Sequence, residues 1–204
     1  MGFGLLLIGY FFANIMSLYS TLSFSMLVGY PIMIYALWRL APYHTRFRHS
    51  FYISFGALPF AVYFTVFAIM QWCGVQWALF EGVTYGIFEL GYFLFSLCFH
   101  FFLLYSVAGL AGELRFLVLQ SGAWRNLIMM ALYAVIDAIS RLPIPQIAAN
   151  PAYFAIPVLL LKILFLFLNM WLFFQCYRKI APEDEDVRTP DPALKKRKKG
   201  DDAS

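Results

Sequence analysis

The chain has 204 residues, of which 62% are hydrophobic, 20% aromatic and only 13% charged, and its formal net charge is +4. Soluble domains are about 45–50% apolar and about 25% charged, so this chain carries about half the usual share of charge. The composition excludes an ordinary soluble domain, a disulfide-rich secreted domain, a disordered chain and a nucleic-acid-binding protein. The class that remains is a multi-pass integral membrane protein.

Hydropathy predicts an all-α membrane bundle, because a body of this length holds about six helices at about 20 residues per span. The predicted spans cover roughly residues 2–19, 22–40, 51–73, 86–110, 126–141 and 153–177. Their long apolar runs do not alternate with polar residues, as the strands of a membrane barrel do. The first run lacks a basic start and a small-residue cleavage site, so we interpret it as a retained span rather than a signal peptide.

The distribution of Lys and Arg predicts the orientation of the bundle. Thirteen of these residues fall in the loops and terminal segment on one side of a six-span model, whereas the opposite side holds only Arg141. The side rich in Lys and Arg is usually cytoplasmic, so we expect both termini in the cytoplasm. Many unrelated bacterial inner-membrane proteins share this plan, and we therefore expect the bacterial cytoplasmic membrane.

Residues 181–204 form a charged tail in which acidic, basic and acidic blocks follow one another, with three prolines between them. Such a segment cannot bury a core, and we predict a disordered cytoplasmic tail. Its basic run from Lys195 to Lys199 would contact anionic lipid or an acidic partner, or would simply keep the C-terminus in the cytoplasm.

Small residues mark places where helices can approach closely. Gly82 and Gly86 are four apart at the start of the fourth span, and Ala108 and Gly112 repeat this spacing at its other end. Such spacing permits backbone contact between membrane helices. We favour packing within the bundle over a dedicated dimer interface.

Four ionisable residues lie inside predicted spans: Glu89, His100, Asp137 and Lys162. Placing a charged side chain in hydrocarbon costs about 2.5–3.5 kcal/mol on insertion scales, so each of these residues normally has a partner or lines a water-filled cavity. Glu89 and His100 are eleven residues apart, or three helical turns plus about 20°, and so share one face of the fourth span. The topology further predicts that Glu89, Asp137, Arg141 and Lys162 converge in the outer half of the bundle.

Two interpretations of this cluster stay open. One is a structural network with Asp137–Lys162 as the central ion pair and Asp137–Arg141 as the intrahelical alternative. The other is a binding or proton-coupling site, in which Lys162 binds an anionic group and Glu89 or Asp137 a cationic one. His100 would then relay protons toward the cytoplasm, or would simply make one hydrogen bond.

The loop between the second and third spans carries His44, Arg46 and Arg48 among aromatic residues. Basic and aromatic residues at an interface favour contact with lipid headgroups, although the loop is more simply interpreted as setting the topology. Its histidines lack the spacing of a zinc-protease motif, and the sequence has no HExxH, GxSxG or P-loop pattern. We therefore expect no metal and no cofactor.

Three functional hypotheses follow. The first is a small-solute transporter, or the substrate-binding membrane subunit of one, that uses the outer-half polar cluster. The second is a non-catalytic membrane partner or assembly factor, and the third is a lipid-modifying enzyme at the cytoplasmic interface, for which no nucleophile–base pair is visible. The expected partners are membrane lipids, a small polar solute and a second copy or another membrane subunit, but not nucleic acid.

Overall fold

The computed structural model describes residues 2–18, 22–75, 77, 80, 82–141 and 152–187. The fold is 90% helical and has no strand in these ranges. The helices are α1 (Gly2–Tyr10), α2 (Ser25–Leu40), α3 (Thr45–Ser54), α4 (Ala57–Trp72), α5 (Gly82–Glu113), α6 (Leu117–Ser140) and α7 (Ala152–Val187). A π-helical turn, Phe11–Ile15, and a 3-10 turn, Met16–Leu18, continue α1.

Four helical segments are long and apolar enough to cross a membrane: Thr45–Trp72, Gly82–Glu113, Leu117–Ser140 and Ala155–Ile180. The prediction of an all-α membrane protein is therefore supported. The first two predicted spans are shorter apolar helices, Gly2–Leu18 and Ser25–Leu40. The count of six crossings and the cytoplasmic position of both termini stay predictions.

Several helix boundaries differ from the hydropathy boundaries. The fifth predicted span starts at residue 126, but α6 already begins at Leu117, so most of the predicted loop before it is helical. A hydropathy profile excludes polar residues such as Gln120 and Arg125 from the span, although such residues are good helix formers. Likewise, α7 continues to Val187, past the predicted start of the tail at 181; residues 188–204 lie outside the described ranges.

The third predicted span is two helices, α3 and α4, separated at Phe55 and Gly56. Pro59 lies in the first turn of α4, where a proline is tolerated because the N–H of that position has no helical partner. It cannot donate to the Phe55 carbonyl, and its ring disfavours a continuous helix through that turn. Together the two helices still span Thr45–Trp72.

Helices α1, α2, α3, α5, α6 and α7 contact one another in that order, and α7 returns to α1. The inner faces of α1 and α2 are fully buried, with Leu6, Tyr10, Met33 and Leu37 at 0% exposure. Helix α4 packs outside this ring on α2 and α5, and the rings of Tyr63 on α4 and Phe88 on α5 stack at 3.8 Å between centroids. Long apolar side chains on α5, α6 and α7 stay exposed, as expected of lipid-facing surfaces.

The short helices α1 and α2 leave room inside one end of the bundle. Helix α5 has 32 residues and is about 48 Å long at about 1.5 Å per residue, far longer than α2 with its 16 residues. The tip of the α1–α2 pair therefore does not fill the space between the longer helices. A cavity remains at this end of the bundle, and polar side chains of the longer helices border it.

Candidate functional site

A cavity of about 330 Å³ lies at the tip of the α1–α2 pair and is called here the Lys162 cavity. Helix α5 forms one wall from Glu89 to His100, a length of about 16 Å. Helices α6 and α7 contribute Arg141 and Lys162, and Asn14 of the π-helical turn faces them. The cavity thus brings four of the five residues of the predicted polar cluster together: Glu89, His100, Arg141 and Lys162.

The fifth residue, Asp137, reaches the cavity through Arg141. Arg141 Nε donates to Asp137 Oδ2 at 2.9 Å, and Arg141 Nη2 lies 3.3 Å from Glu89 Oε1. The Asp137 side chain is only 8% exposed, whereas those of Arg141 and Glu89 are 36% and 44% exposed. One guanidinium thus holds a buried and a half-exposed carboxylate at the rim of the cavity.

This pairing corrects the predicted central ion pair. Asp137 pairs with Arg141 one turn away on its own helix, not with Lys162 on α7. In the described part of the chain Lys162 forms no ion pair within 4.0 Å. Its side-chain nitrogen therefore borders the cavity without a described carboxylate in contact.

A chain of hydrogen bonds closes the cavity at His100. Tyr10 Oη lies 3.0 Å from His100 Nε2, Asn169 Nδ2 donates to Tyr10 Oη at 2.9 Å, and Asn126 Nδ2 donates to Asn169 Oδ1 at 3.0 Å. These four side chains come from α1, α5, α6 and α7 and are at most 3% exposed. They join the helices across the centre of the bundle.

A backbone carbonyl at the end of this series of hydrogen bonds determines which atom donates and which accepts in each of them. His100 Nδ1 lies 2.7 Å from the Ser96 carbonyl oxygen, which can only accept, so Nδ1 carries the proton. Nε2 is then the acceptor for the Tyr10 hydroxyl, and the imidazole is neutral. A second proton on Nε2 would deprive the Tyr10 hydroxyl of its acceptor. The geometry thus favours a fixed hydrogen-bonding role for His100 over the predicted proton relay.

We expect Tyr10→Phe to lower the free energy of unfolding by about 2 kcal/mol, because it leaves His100 Nε2 and Asn169 Nδ2 without their partner in a dry core. Tyr30→Phe is the matched control. Tyr30 is equally buried, but among the described residues its hydroxyl bonds only Tyr92 Oη, at 3.0 Å, and Tyr92 borders the cavity. Denaturant unfolding in detergent compares the two, and an equal loss in both variants would contradict a central role for Tyr10.

Sequence reasoning missed Tyr10, Asn14 and Asn126. Tyr10 and Asn126 are uncharged, so they cost less in a span than the ionisable residues and attract no attention in a charge count. Asn14 lies in the π-helical turn, where its Nδ2 donates to the Tyr10 carbonyl at 3.3 Å. Such π-helical turns occur often at functional sites, but hydropathy does not report them.

The residues predicted to contact lipid headgroups lie at the opposite end of the bundle. His44 and Arg46 border a second cavity of about 340 Å³, called here the Arg46 cavity, together with Glu113. Arg48 is exposed on α3 and does not border it; its guanidinium carbon lies 5.8 Å from the centre of the Tyr52 ring. The structure therefore joins two of the three predicted residues.

His44 is the N-cap of α3 and both of its ring nitrogens are engaged. Nδ1 accepts from the Arg46 backbone N–H at 3.0 Å, so the proton is on Nε2, which lies 3.2 Å from Glu113 Oε1. A general base needs a free ring nitrogen. This geometry argues against His44 as the base of a lipid-modifying enzyme.

Among the residues that the structure describes, no group of three His, Cys, Asp or Glu side chains is placed to hold a metal ion. No family model, no curated protein and no solved structure matches this chain. The geometry of the two cavities is therefore the main indication of function.

Proposed function

We propose that this chain is a membrane protein that binds a small polar solute in the Lys162 cavity, as a transporter or as the solute-binding membrane subunit of one. The observation that carries the proposal is a cavity of about 330 Å³, inside an apolar bundle, bordered by a lysine that contacts no carboxylate of the described residues. An intramembrane charge that serves only structure is normally paired. Asp137 and Arg141 satisfy that expectation, and Lys162 does not.

The charges of the cavity favour a solute with an anionic group. Lys162 offers three N–H donors, which suit a carboxylate or a phosphate. Glu89 is 44% exposed and has one contact with Arg141, at 3.3 Å, so it keeps the capacity to accept a cationic group. Since the four ionised side chains Glu89, Asp137, Arg141 and Lys162 sum to zero, a zwitterion that spans Lys162 and Glu89 leaves the site neutral.

The size of the cavity and its closed inner end further restrict the solute and the mode of action. Ligand sites usually measure about 300–1,000 Å³, and this cavity is at the small end of that range. Beyond His100 the face of α5 is dry, with Leu103, Leu104 and Val107 at most 1% exposed. Transport would therefore require the helices to separate below His100, whereas a binding subunit would not.

The alternative hypotheses find less support. The basic run on which the partner or assembly hypothesis depends lies in residues 188–204, outside the described ranges. The enzyme hypothesis had no visible nucleophile–base pair, and His44 does not supply a base because both of its ring nitrogens are engaged. Localisation in the bacterial cytoplasmic membrane remains part of the proposal.

Thermal unfolding of the purified protein with charge-matched solutes tests binding. The probes are amino acids together with the amines and carboxylic acids that result when one charged group is removed. A solute at 100 times its Kd raises the free energy of unfolding by about 2.7 kcal/mol. We expect zwitterions to stabilise most and amines not at all, and Lys162→Met to remove the effect.

Lys179→Met is the matched control, since Lys179 lies on the same helix but is exposed and does not border the cavity. Stabilisation that survives Lys162→Met would contradict the site. Uptake of a stabilising solute into proteoliposomes then separates a transporter from a binding subunit. Binding without uptake would identify the subunit.

A further inference from the structure

The Arg46 cavity holds a cation and an anion side by side that do not pair with each other. Arg46 makes no ion pair within 4.0 Å in the described part of the chain, and the only such contact of Glu113 there is to His44. Because the His44 imidazole is neutral in this arrangement, it leaves the charge of Glu113 uncompensated. The cavity therefore presents one positive and one negative group.

Both charged side chains contact neighbouring residues, Arg46 more closely than Glu113. The Arg46 guanidinium carbon lies 4.1 Å from the centre of the Tyr105 ring, a cation–π contact. The same side chain fits against Gly109, where an added Cβ would lie 2.6 Å from Arg46 Nη1 and 3.0 Å from His44 Nε2. Glu113 is 64% exposed and contacts His44 Nε2 at 3.2 Å. The imidazole thus lies beside the guanidinium and in contact with the carboxylate.

The position of the cavity favours a lipid over a free solute. Gln120 and Trp124, near the start of α6, complete its border, and Trp124 is 48% exposed. Tryptophan is typical of the headgroup layer of a membrane. Ile128, one turn beyond Trp124 in α6, is 69% exposed, so an apolar surface that suits acyl chains continues along this helix from the polar cavity.

We propose that the Arg46 cavity binds the zwitterionic headgroup of a phospholipid, phosphatidylethanolamine, with its phosphate on Arg46 and its ammonium group on Glu113. Arginine suits phosphate because its planar N–H groups match the phosphate oxygens. The ethanolamine ammonium group donates hydrogen bonds, which the half-engaged carboxylate of Glu113 can accept. An anionic headgroup without an amine would place its charge near the Glu113 carboxylate and gain no bond from it.

This site is independent of the solute proposed for the Lys162 cavity, since the two cavities share no residue. It also narrows the predicted headgroup contact of His44, Arg46 and Arg48. Arg46 carries the contact, His44 positions Glu113, and Arg48 takes no part. The selectivity is for a dipolar headgroup rather than for any anionic surface.

Competition between lipids tests this proposal. The full chain in detergent is exchanged into an equimolar mixture of phosphatidylethanolamine and phosphatidylglycerol with identical acyl chains, and the lipids retained are counted by native mass spectrometry. We expect about fivefold more phosphatidylethanolamine than phosphatidylglycerol to be retained, because one charge–charge interaction near a membrane surface changes binding by about that factor. Equal retention, a preference for phosphatidylglycerol, or no retained lipid would overturn the proposal.

Three variants locate the site. Glu113→Gln keeps an acceptor for His44 and is expected to remove the preference between the two lipids. Arg46→Gln is expected to lower the retention of both. Arg48→Gln is the matched control and is expected to leave retention and preference unchanged, because Arg48 lies outside the cavity. A preference that persists in Glu113→Gln would overturn the assignment of the ammonium group.

Discussion

Arg141→Met is expected to lower the free energy of unfolding by about 3 kcal/mol, because it leaves the buried Asp137 carboxylate without its cation. Breaking a buried ion pair usually costs about 3–5 kcal/mol, and the 36% exposure of the Arg141 side chain places this case at the lower end. The variant also removes the link between α6 and Glu89 on α5. Chemical unfolding in detergent measures the loss.

The double variant Asp137→Asn/Arg141→Met is the control for this prediction. It removes the charge together with its partner, so we expect it to regain most of the lost stability. Arg141→Lys keeps the positive charge but cannot contact both carboxylates with one planar group, and it should fall between the parent and Arg141→Met. Stability near that of the parent in Arg141→Met would mean that Lys162 balances Asp137 instead.

The convergence of the polar residues could be predicted because it depends only on helical periodicity and on the direction of each span. Helical periodicity places Glu89 and His100 on one face of α5, and the direction of each span sets the depth of Asp137, Arg141 and Lys162. The structure brings four of these residues to one cavity, with Asp137 attached through Arg141.

Contacts within the cluster could not be predicted in the same way. Asp137 had one partner available on its own helix and one on α7, and depth alone does not distinguish them. The local i,i+4 pair requires no particular rotation of α7, whereas a pair with Lys162 does. The cavity itself depends on the short α1–α2 pair, and a hydropathy profile gives span positions but not the space between helices.

The described structure shows no close approach of another helix at Gly82 and Gly86, where the sequence spacing permits one. An added Cβ on either residue would meet nothing within 4 Å in the described structure. Gly82 has a φ of 58°, a conformation that favours glycine, so it serves the start of α5 rather than a helix contact. The close approach is between α1 and α2, where Gly9 and Ala13 on one helix and Ser25 and Gly29 on the other have the same four-residue spacing. That signal was present in the sequence.

Gly29→Ala is expected to be among the most destabilising single-methyl changes in the chain. The added Cβ would lie 2.7 Å from the Cα of Ala13, closer than real Cβ atoms approach, and the obstacle is backbone rather than a mobile side chain. Gly9 is placed in the same way, since its Cβ would lie 2.8 Å from the Met33 backbone nitrogen. Helix α1 must therefore move away from α2 to admit the methyl group, and such overpacking costs about 1–3 kcal/mol or more.

The movement would also reach the Lys162 cavity, because Asn14, in the turn that continues α1, borders it, and Tyr10 on α1 bonds His100 of its border. Gly86→Ala is the matched control: the methyl group enters open space, and the higher helix propensity of alanine predicts equal or slightly greater stability. Unfolding in detergent compares the pair, and solute-dependent stabilisation reports on the cavity. If Gly29→Ala is as stable as Gly86→Ala, α1 and α2 do not cross in backbone contact.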